Sequence, residues 1–250
     1  MSSQKIENLK YYSYQGRKIS KKLSVSKKNL INEIYNQYSF DESILRYHNN
    51  RGLKKKIVLP KNFAKVNIEI GFGNGEFLIK NAITNPKELF IGVEVYLNGI
   101  AKVLTAILEY NIENIILSNI NSSYFLEAIP NNSVDKIFII NPDPWIKKRH
   151  YKRRLMSHET LRLLNKIIKL KNSIFMTTDS KTYLNYSENL LNQHKDIIGY
   201  YSVSILSKND NLYGISRYQR KAIEKGGKIY LLTIWNLLSL HAWFIEAGGV

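Results

Sequence analysis

Short runs of apolar and β-branched residues recur along the chain from residue 66, with helix-length segments between them. The first five are VNIEI (66–70), LFIGVEV (89–95), NIILS (114–118), KIFII (136–140) and SIFMTTD (173–179). This alternation is typical of βαβ units around a buried parallel sheet. Two later runs, YYSVSIL (200–206) and KIYLLTIW (228–235), lack a clear long helix between them and predict an antiparallel pair. We therefore predict an α/β domain over residues 66–235, with a seven-stranded, mainly parallel sheet and helices on both faces.

The regions on either side of this domain differ from it in composition. Residues 1–65 hold 15 lysines and arginines against four acids, with tyrosines interleaved among them. They predict an irregular or partly helical basic N-terminal extension, and the alternative is a disordered tail without a role. Residues 236–250 form a C-terminal tail to which the pattern assigns no function.

The chain as a whole is strongly basic. Its 37 lysines and arginines outnumber 20 acids, which gives a formal net charge of +17. Such a field attracts polyanions and favours a nucleic acid as partner, although a compositional bias would also scatter lysines along the chain. There is no cysteine, which excludes disulfides, thiolate metal sites and cysteine nucleophiles. We predict no metal site.

The N-terminus and the apolar segments indicate where in the cell the protein is expected. The opening MSSQKIENLKYYSYQ lacks the apolar core of a signal peptide. The most apolar stretch, LLTIWNLLSLHAWFI, is interrupted by Asn236 and His241 and is too short to span a bilayer. We expect a cytoplasmic protein that does not bind membranes, and the sequence leaves both monomer and homodimer open.

A glycine-rich loop follows the first predicted strand. It reads GFGNGEF and places Gly71, Gly73 and Gly75 before a helix, where the backbone can turn tightly and approach a ligand. A dinucleotide fingerprint requires a sixth-position glycine, which is Glu76 here, so the spacing favours a nucleoside without a pyrophosphate. The alternative is an ordinary tight turn between strand and helix.

Three polar residues near the same edge of the sheet support a nucleoside site. Glu69 lies two residues before the glycine loop, and Glu94 follows the second strand, where an acid can accept hydrogen bonds from both ribose hydroxyls. Asn121 follows the third strand. Its amide oxygen could accept from an adenine amino group, or the residue could serve a turn.

The stretch NPDPWIKKRHYKRR (141–154) sets one acid beside a dense run of cations. Asp143 should emerge at the carboxyl edge of the sheet, where open α/β sheets bind ligands. Prolines on both sides fix the local backbone, and Trp145 can wall a pocket or stack on a base. The cations from Lys147 to Arg154 are expected to hold phosphates while Asp143 faces the cleft. The alternative is a turn leading into a solvated basic helix.

Asp179 closes the fifth predicted strand, so it should reach the same edge of the sheet as Asp143. It could stabilise positive charge that develops on a substrate. It could also cap the helix that follows, over SKTYLNYSENLL.

Four stretches resemble the bacterial tRNA (guanine-N7-)-methyltransferases: GFGNGEF, GVEV, NPDPWIKKRHYKRRL and GISRYQRKA, within about residues 66–230. The resemblance implies a Rossmann-like class I methyltransferase fold, S-adenosylmethionine as cofactor, and methylation of a tRNA variable-loop guanine at N7. It also implies site residues. Those of the cofactor site would be Glu69, Glu94, Asn121 and Asp143, with Asp143 catalytic as well, and those that contact the substrate would be Lys147, Asp179, Ser216, Arg217, Tyr218 and Gln219.

The chain departs from the family pattern at several of these positions. Asn121 stands where the family usually has Asp, Asn141 where it has Phe, and Gln219 where it has Glu. Two other functions fit parts of the sequence. The NPDPW stretch partly resembles the Asn-Pro-Pro-aromatic turn of exocyclic-amine methyltransferases, although Asp143 interrupts the match. The chain could instead be a basic RNA-binding protein with a degenerate cofactor pocket.

Overall fold

The computed structural model describes residues 22–40, 56–207 and 217–236. Within them, one seven-stranded sheet has the order β3-β2-β1-β4-β5-β7-β6. Strands β1 to β5 are parallel, and β7 is antiparallel to both β5 and β6. Both the predicted mainly parallel sheet and the antiparallel last pair are confirmed. The strands are β1 (Lys65–Ile70), β2 (Glu88–Val93), β3 (Ile115–Ser118), β4 (Val134–Ile140), β5 (Ile168–Thr178), β6 (Tyr200–Leu206) and β7 (Ile229–Trp235).

The α-helices of the described residues connect these strands or cover the sheet. Two 3-10 turns, Tyr35–Tyr38 and Lys148–Arg153, accompany them. None of the helices in these ranges is long and apolar enough to cross a bilayer. The helices are α1 (Val25–Ile34), α2 (Glu76–Thr84), α3 (Leu97–Tyr110), α4 (Ser122–Ala128), α5 (His158–Ile167), α6 (Lys181–Gln193) and α7 (Arg217–Glu224).

Both faces of the sheet are buried over its parallel strands, as their uninterrupted apolar runs require, whereas the edge strand β6 is largely exposed. Side chains alternate between the faces of a strand, and β2 shows the result. Leu89 and Ile91 join one apolar cluster with residues of α4, α5 and α6. Phe90 joins a second cluster with residues of α1, α2 and α3. The parallel strands are therefore covered on both sides, which leaves their carboxyl edge as the open surface.

Part of the basic N-terminal region packs against the domain. Helix α1 lies against α3, and the buried Tyr35 that follows it joins the second apolar cluster. The Tyr35 hydroxyl accepts a hydrogen bond from the backbone N–H of Asn119 at 2.8 Å, and Ser39 forms a parallel bridge with Leu117 of β3. Residues 22–40 thus contain the expected helical segment and support the edge of the sheet. The domain boundary at residue 65 stays a prediction.

Candidate functional site

An open cleft with a volume of about 1980 Å³ runs along the carboxyl ends of the parallel strands. It is larger than the roughly 300–1,000 Å³ of a typical small-molecule pocket, so it has room for a cofactor beside part of a larger substrate. No group of three or more potential metal ligands occurs among the described residues. The predicted site residues that line the cleft are Glu69, Gly71, Gly73, Glu94, Asn121, Asp143 and Asp179.

The three glycines of the loop divide into two roles. All have positive φ angles, a conformation that L side chains rarely adopt. A Cβ on Gly71 or Gly73 would meet nothing within 4 Å, whereas one on Gly75 would come within 2.2 Å of Val103 Cγ2. Gly75 therefore serves the close packing of α2 on α3, and Gly71 and Gly73 leave open space beside the backbone.

Gly99 has a structural role that the sequence analysis did not identify. A Cβ at Gly99 would lie 1.8 Å from the carbonyl oxygen of Gly73, so only glycine lets α3 approach the loop this closely. The hydrophobic pattern of the helix, which begins LNGIAKV, does not indicate that Gly99 contacts the glycine loop.

Glu94 holds the glycine loop in place through hydrogen bonds to its carboxylate. One oxygen accepts from the backbone N–H of Gly73 at 2.8 Å. The other accepts from the N–H groups of Val95 at 2.7 Å and Tyr96 at 3.0 Å. Each carboxylate oxygen has two acceptor positions, so Glu94 Oε2 can accept another hydrogen bond from a ligand in the cleft.

Glu69 is a buried carboxyl group at the floor of the cleft. Its side chain is 3% exposed, and Oε2 has no hydrogen-bond partner among the described residues. Burial first, and repulsion by the nearby Glu94 second, raise the pKa of Glu69 to about 8. The site thus contains a proton-bearing acid at neutral pH, which a cation in the cleft would favour in the ionised form.

Asn121 and Asp179 both line the cleft, but helix capping involves only one of them. The Asn121 Oδ1 accepts from the Ser123 N–H at 2.9 Å and caps α4, as the turn alternative predicted. The alternative in which Asp179 caps α6 is wrong, because Ser180 is the cap and accepts from the Tyr183 N–H. Asp179 is exposed to the cleft instead.

The turn that carries Asp143 has an unusual backbone. Asn141 and Trp145, at its two ends, have φ angles of 47° and 41°. Asparagine tolerates this left-handed region better than most residues, which is a physical reason for Asn at position 141. Asp143 itself is exposed and lines the cleft, as predicted from its position at the end of β4.

The cations of the basic run are not uniformly exposed, and Arg154 does not lie on the surface as a phosphate contact was expected to. Arg154 is 5% exposed. Its guanidinium donates to the carbonyl oxygens of Pro144 at 2.9 Å and Trp145 at 3.5 Å. It also lies 3.6 Å from the ring centroid of Tyr151 and 4.3 Å from that of Tyr186. Arg154 ties the turn to the core, and its guanidinium is held by these carbonyl oxygens and rings although the residue forms part of the cleft wall.

The remaining cations of the run are more accessible. The guanidinium of Arg153 lies 5.0 Å above the Trp145 ring, which leaves it half-buried. Four others are exposed: Lys147, Lys148, Arg149 and Lys152.

The late predicted motif is only partly within the described residues. Ser216 lies outside them, and Arg217 and Tyr218 fall in the first turn of α7. Gln219 is 2% exposed and does not line the cleft. Its Nε2 donates to Thr177 Oγ1 at 3.0 Å, a partner that no pattern in the sequence indicated.

Comparisons with known proteins agree with this architecture. A family model described as "Putative methyltransferase" matches residues 64–232. The tRNA (guanine-N(7)-)-methyltransferase of Wolbachia pipientis wMel is 34% identical over 201 residues, which cover 80% of this chain and 83% of that protein. The bifunctional methyltransferase of Rickettsia conorii is 36% identical over 230 residues, or 90% of this chain. The present chain spans 40% of the length of that rickettsial protein.

A solved structure supports the fold independently. The crystal structure of 16S rRNA methyltransferase KamB aligns with a TM-score of 0.54 at 12% identity, over 73% of this chain and 97% of that one. The sheet order, the glycine loop and the acidic cleft therefore define a Rossmann-like class I methyltransferase fold. With the family match over most of the domain, the chain belongs to the tRNA (guanine-N7-)-methyltransferase family.

Proposed function

We propose that this protein transfers the methyl group of S-adenosylmethionine to N7 of a guanine in the variable loop of tRNA. The observation that carries the proposal is the convergence of Glu69, Glu94 and Asp143 on one cleft beside an open glycine backbone. That cleft belongs to a chain of the tRNA (guanine-N7-)-methyltransferase family.

The residues present fit S-adenosylmethionine. The open space beside Gly71 and Gly73 admits a nucleoside against the backbone. Glu94 keeps acceptor capacity for ribose hydroxyls, and Asn121, at the start of α4, lines the cleft and is assigned to the adenine. Glu69 Oε2, which has no partner in the part of the chain that the structure describes, suits the cationic amino acid end of the cofactor. We assign these residues to cofactor binding.

The chemistry requires positioning more than proton transfer. S-adenosylmethionine supplies a methyl group on a cationic sulfur, and the guanine N7 lone pair takes it without loss of a proton. A general base is therefore unnecessary, and alignment of the reactants can supply much of the rate enhancement. Positive charge moves onto the purine, so the exposed carboxylates of Asp143 and Asp179 can stabilise it as it develops.

Cations around the cleft provide a surface for the tRNA backbone. Lys147, Lys148, Arg149 and Lys152 are exposed after the Asp143 turn, and we assign them to phosphate contacts. We place Ser216, Arg217 and Tyr218 at the tRNA substrate by family resemblance. Further cations on the cleft wall are Lys102, Arg162, Lys166 and Lys221.

Methylation of an unmodified tRNA transcript tests the proposal. Purified protein is incubated with the transcript and labelled S-adenosylmethionine, and the nucleosides are separated by mass spectrometry after digestion. The expected product is 7-methylguanosine. A product methylated on an exocyclic amine would assign the chain to the other methyltransferase chemistry. Tight tRNA binding without methyl transfer or cofactor binding would leave an RNA-binding protein.

A further inference from the structure

A buried hydrogen-bond network joins helix α7 to the turn that carries Asp143. Its centre is the side chain of Thr177, near the end of β5, which is 4% exposed. Gln219 Nε2 donates to Thr177 Oγ1 at 3.0 Å. Thr177 Oγ1 in turn donates to Asn141 Oδ1 at 3.1 Å. Three residues distant in sequence are thus linked through one hydroxyl group.

The hydrogen-bonding capacity of that hydroxyl is fully used. A threonine hydroxyl has one donor and two acceptor positions. The donor goes to Asn141 Oδ1, and the acceptors receive Gln219 Nε2 and the Asn141 N–H, the latter at 3.2 Å. The same N–H also approaches the Thr177 carbonyl oxygen at 3.1 Å. Because Gln219 fills an acceptor position, the Thr177 proton is directed toward Asn141.

Asn141 is the residue at which the network meets the candidate site. It has a φ of 47° and begins the turn that places Asp143 in the cleft. A non-glycine residue in this region of backbone conformation persists when its surroundings hold it there. Both its backbone N–H and its side-chain oxygen are bound to Thr177. The conformation of the turn therefore depends on Thr177 and, through it, on Gln219.

We propose that Gln219 is a positioning residue that acts through Thr177 and Asn141 to hold the Asp143 turn, and that it does not contact the tRNA. This inference rests on the proposed function for its catalytic consequence. Its geometric basis is independent of that function, since Gln219 is buried and bonded to Thr177.

Asn141 and Gln219 are both departures from the family pattern, and their chemistry agrees with this role. Gln219 has an N–H group to donate, whereas a carboxylate at position 219 could only accept. A carboxylate would draw the Thr177 proton toward itself and leave Asn141 Oδ1 without its donor. Asn141 and Gln219 are therefore matched to each other across the same hydroxyl.

Four variants separate positioning from general destabilisation. Thr177→Val removes the hydroxyl at nearly constant shape, and Gln219→Met removes the amide at similar length. Thr177→Ser keeps the hydroxyl and is the rescue variant. Thr233→Val is the matched control, because Thr233 is a buried threonine on β7 whose register partner is Phe175, two residues from Thr177 on β5.

Two readouts are made on each folded variant. Hydrogen exchange with mass spectrometry follows the backbone amides of Asn141, Asp143 and Trp145, the residues of the turn that carry an N–H. Steady-state kinetics give kcat and the tRNA KM. We expect Thr177→Val and Gln219→Met to accelerate that exchange and to lower kcat by roughly tenfold to hundredfold, the loss typical of a misplacement of about 1 Å. The tRNA KM should stay within about twofold of wild type. Thr177→Ser and Thr233→Val should match wild type in both readouts.

Two results would overturn the inference. One is unchanged exchange of the Asn141, Asp143 and Trp145 amides in Thr177→Val and Gln219→Met. The other is a raised tRNA KM with unchanged kcat in Gln219→Met, which would place Gln219 against the substrate. The exchange measurement tests the hydrogen-bond network by itself, even if the wild-type protein methylates no tRNA. Absence of 7-methylguanosine from the wild-type reaction would contradict the proposed function without affecting the conclusion from hydrogen exchange.

Discussion

Replacing Glu69 by glutamine should change how the stability of the protein depends on pH. The carboxyl group is 3% exposed on β1, and its Oε2 has no partner among the described residues. Burial, followed by repulsion from Glu94, raises its pKa from an ordinary value of 4.5 to about 8. Glutamine has nearly the same shape and does not titrate, so the variant isolates the contribution of this proton.

The sign and size follow from the two pKa values. In the unfolded chain Glu69 loses its proton near pH 4.5, and in the folded protein it keeps it up to about pH 8. The folded state therefore binds more protons between these values, and the free energy of unfolding falls as pH rises. The stabilisation is fully present below pH 4.5 and is lost as pH rises through about 8. At about 1.36 kcal/mol per pKa unit, the loss between pH 5 and pH 8 is on the order of 3 to 4 kcal/mol.

Urea unfolding of both proteins across this pH range measures the effect. The wild-type free energy of unfolding should fall relative to that of Glu69→Gln as pH rises, with most of the change complete by about pH 8. Parallel stability curves for the two proteins would show that Glu69 titrates normally and would refute the reasoning.

Cofactor binding should also release the proton that Glu69 carries in the folded protein. S-adenosylmethionine is cationic near its sulfur and amino group, so it should ionise Glu69 when it binds. Calorimetry in buffers of different ionisation enthalpy should detect proton release near neutral pH for the wild type. The release should be absent for Glu69→Gln. Equal proton release by the two proteins would contradict the assignment of Glu69 to this end of the cofactor.

Three further predictions concern the scaffold and the charged surface. Glu94→Ala should weaken S-adenosylmethionine binding by about 1–3 kcal/mol in calorimetry. It should also lower the melting temperature, because Glu94 holds the Gly73 loop. Unchanged binding would show that Glu94 does not contact the cofactor. Tyr35→Phe should lower the free energy of unfolding by about 1–3 kcal/mol in urea, since it leaves the Asn119 backbone N–H without its partner. Equal stability would show that this hydrogen bond does not stabilise the edge. Arg154→Met should lower the free energy of unfolding by about 1–3 kcal/mol and leave the salt dependence of tRNA binding unchanged. Lys152→Ala should reduce the slope of that salt dependence by about one and leave the free energy of unfolding unchanged. The reverse pattern would show that Arg154 contacts a phosphate.

The sheet and the glycine loop could be predicted because they follow from local patterns. Strand runs of buried residues alternate with helical segments, and a glycine triplet between a strand and a helix is typical of a loop that a ligand can approach. The carboxyl ends of parallel strands share one edge, so the gathering of Glu69, Glu94 and Asp143 followed from the sheet alone.

The destination of individual side chains could not be predicted in this way. Arg153 and Arg154 are adjacent in sequence, yet one lies over Trp145 and the other is buried among the tyrosines Tyr151, Tyr183 and Tyr186. Burial of Arg154 depends on aromatic rings supplied by α6, about thirty residues later in the chain. A run of like charges carries no information about such long-range contacts.

The hydrogen-bonded link between Gln219 and Asn141 also depends on long-range contacts that the sequence does not indicate. It passes through Thr177, an unremarkable residue in an apolar strand, and it exists only because α7 packs against the sheet. Sequence reasoning placed Gln219 at the substrate by resemblance, whereas its side chain is buried. The packing of Tyr35 under the Asn119 backbone is likewise a tertiary contact without a local signal.

Single-turnover methylation by wild-type protein and Asp143→Ala, at saturating tRNA and cofactor, tests the central claim most directly. Asp143 lies exposed in the cleft, and four exposed cations follow it in sequence, so we expect Asp143 and these cations to act on different parts of the reaction. The wild type should form 7-methylguanosine in the variable loop. Asp143→Ala should lose at least about tenfold in that rate, because the interaction is made in the transition state, while its tRNA affinity stays unchanged. A variant that methylates at the wild-type rate, or that loses only tRNA affinity, would contradict the account.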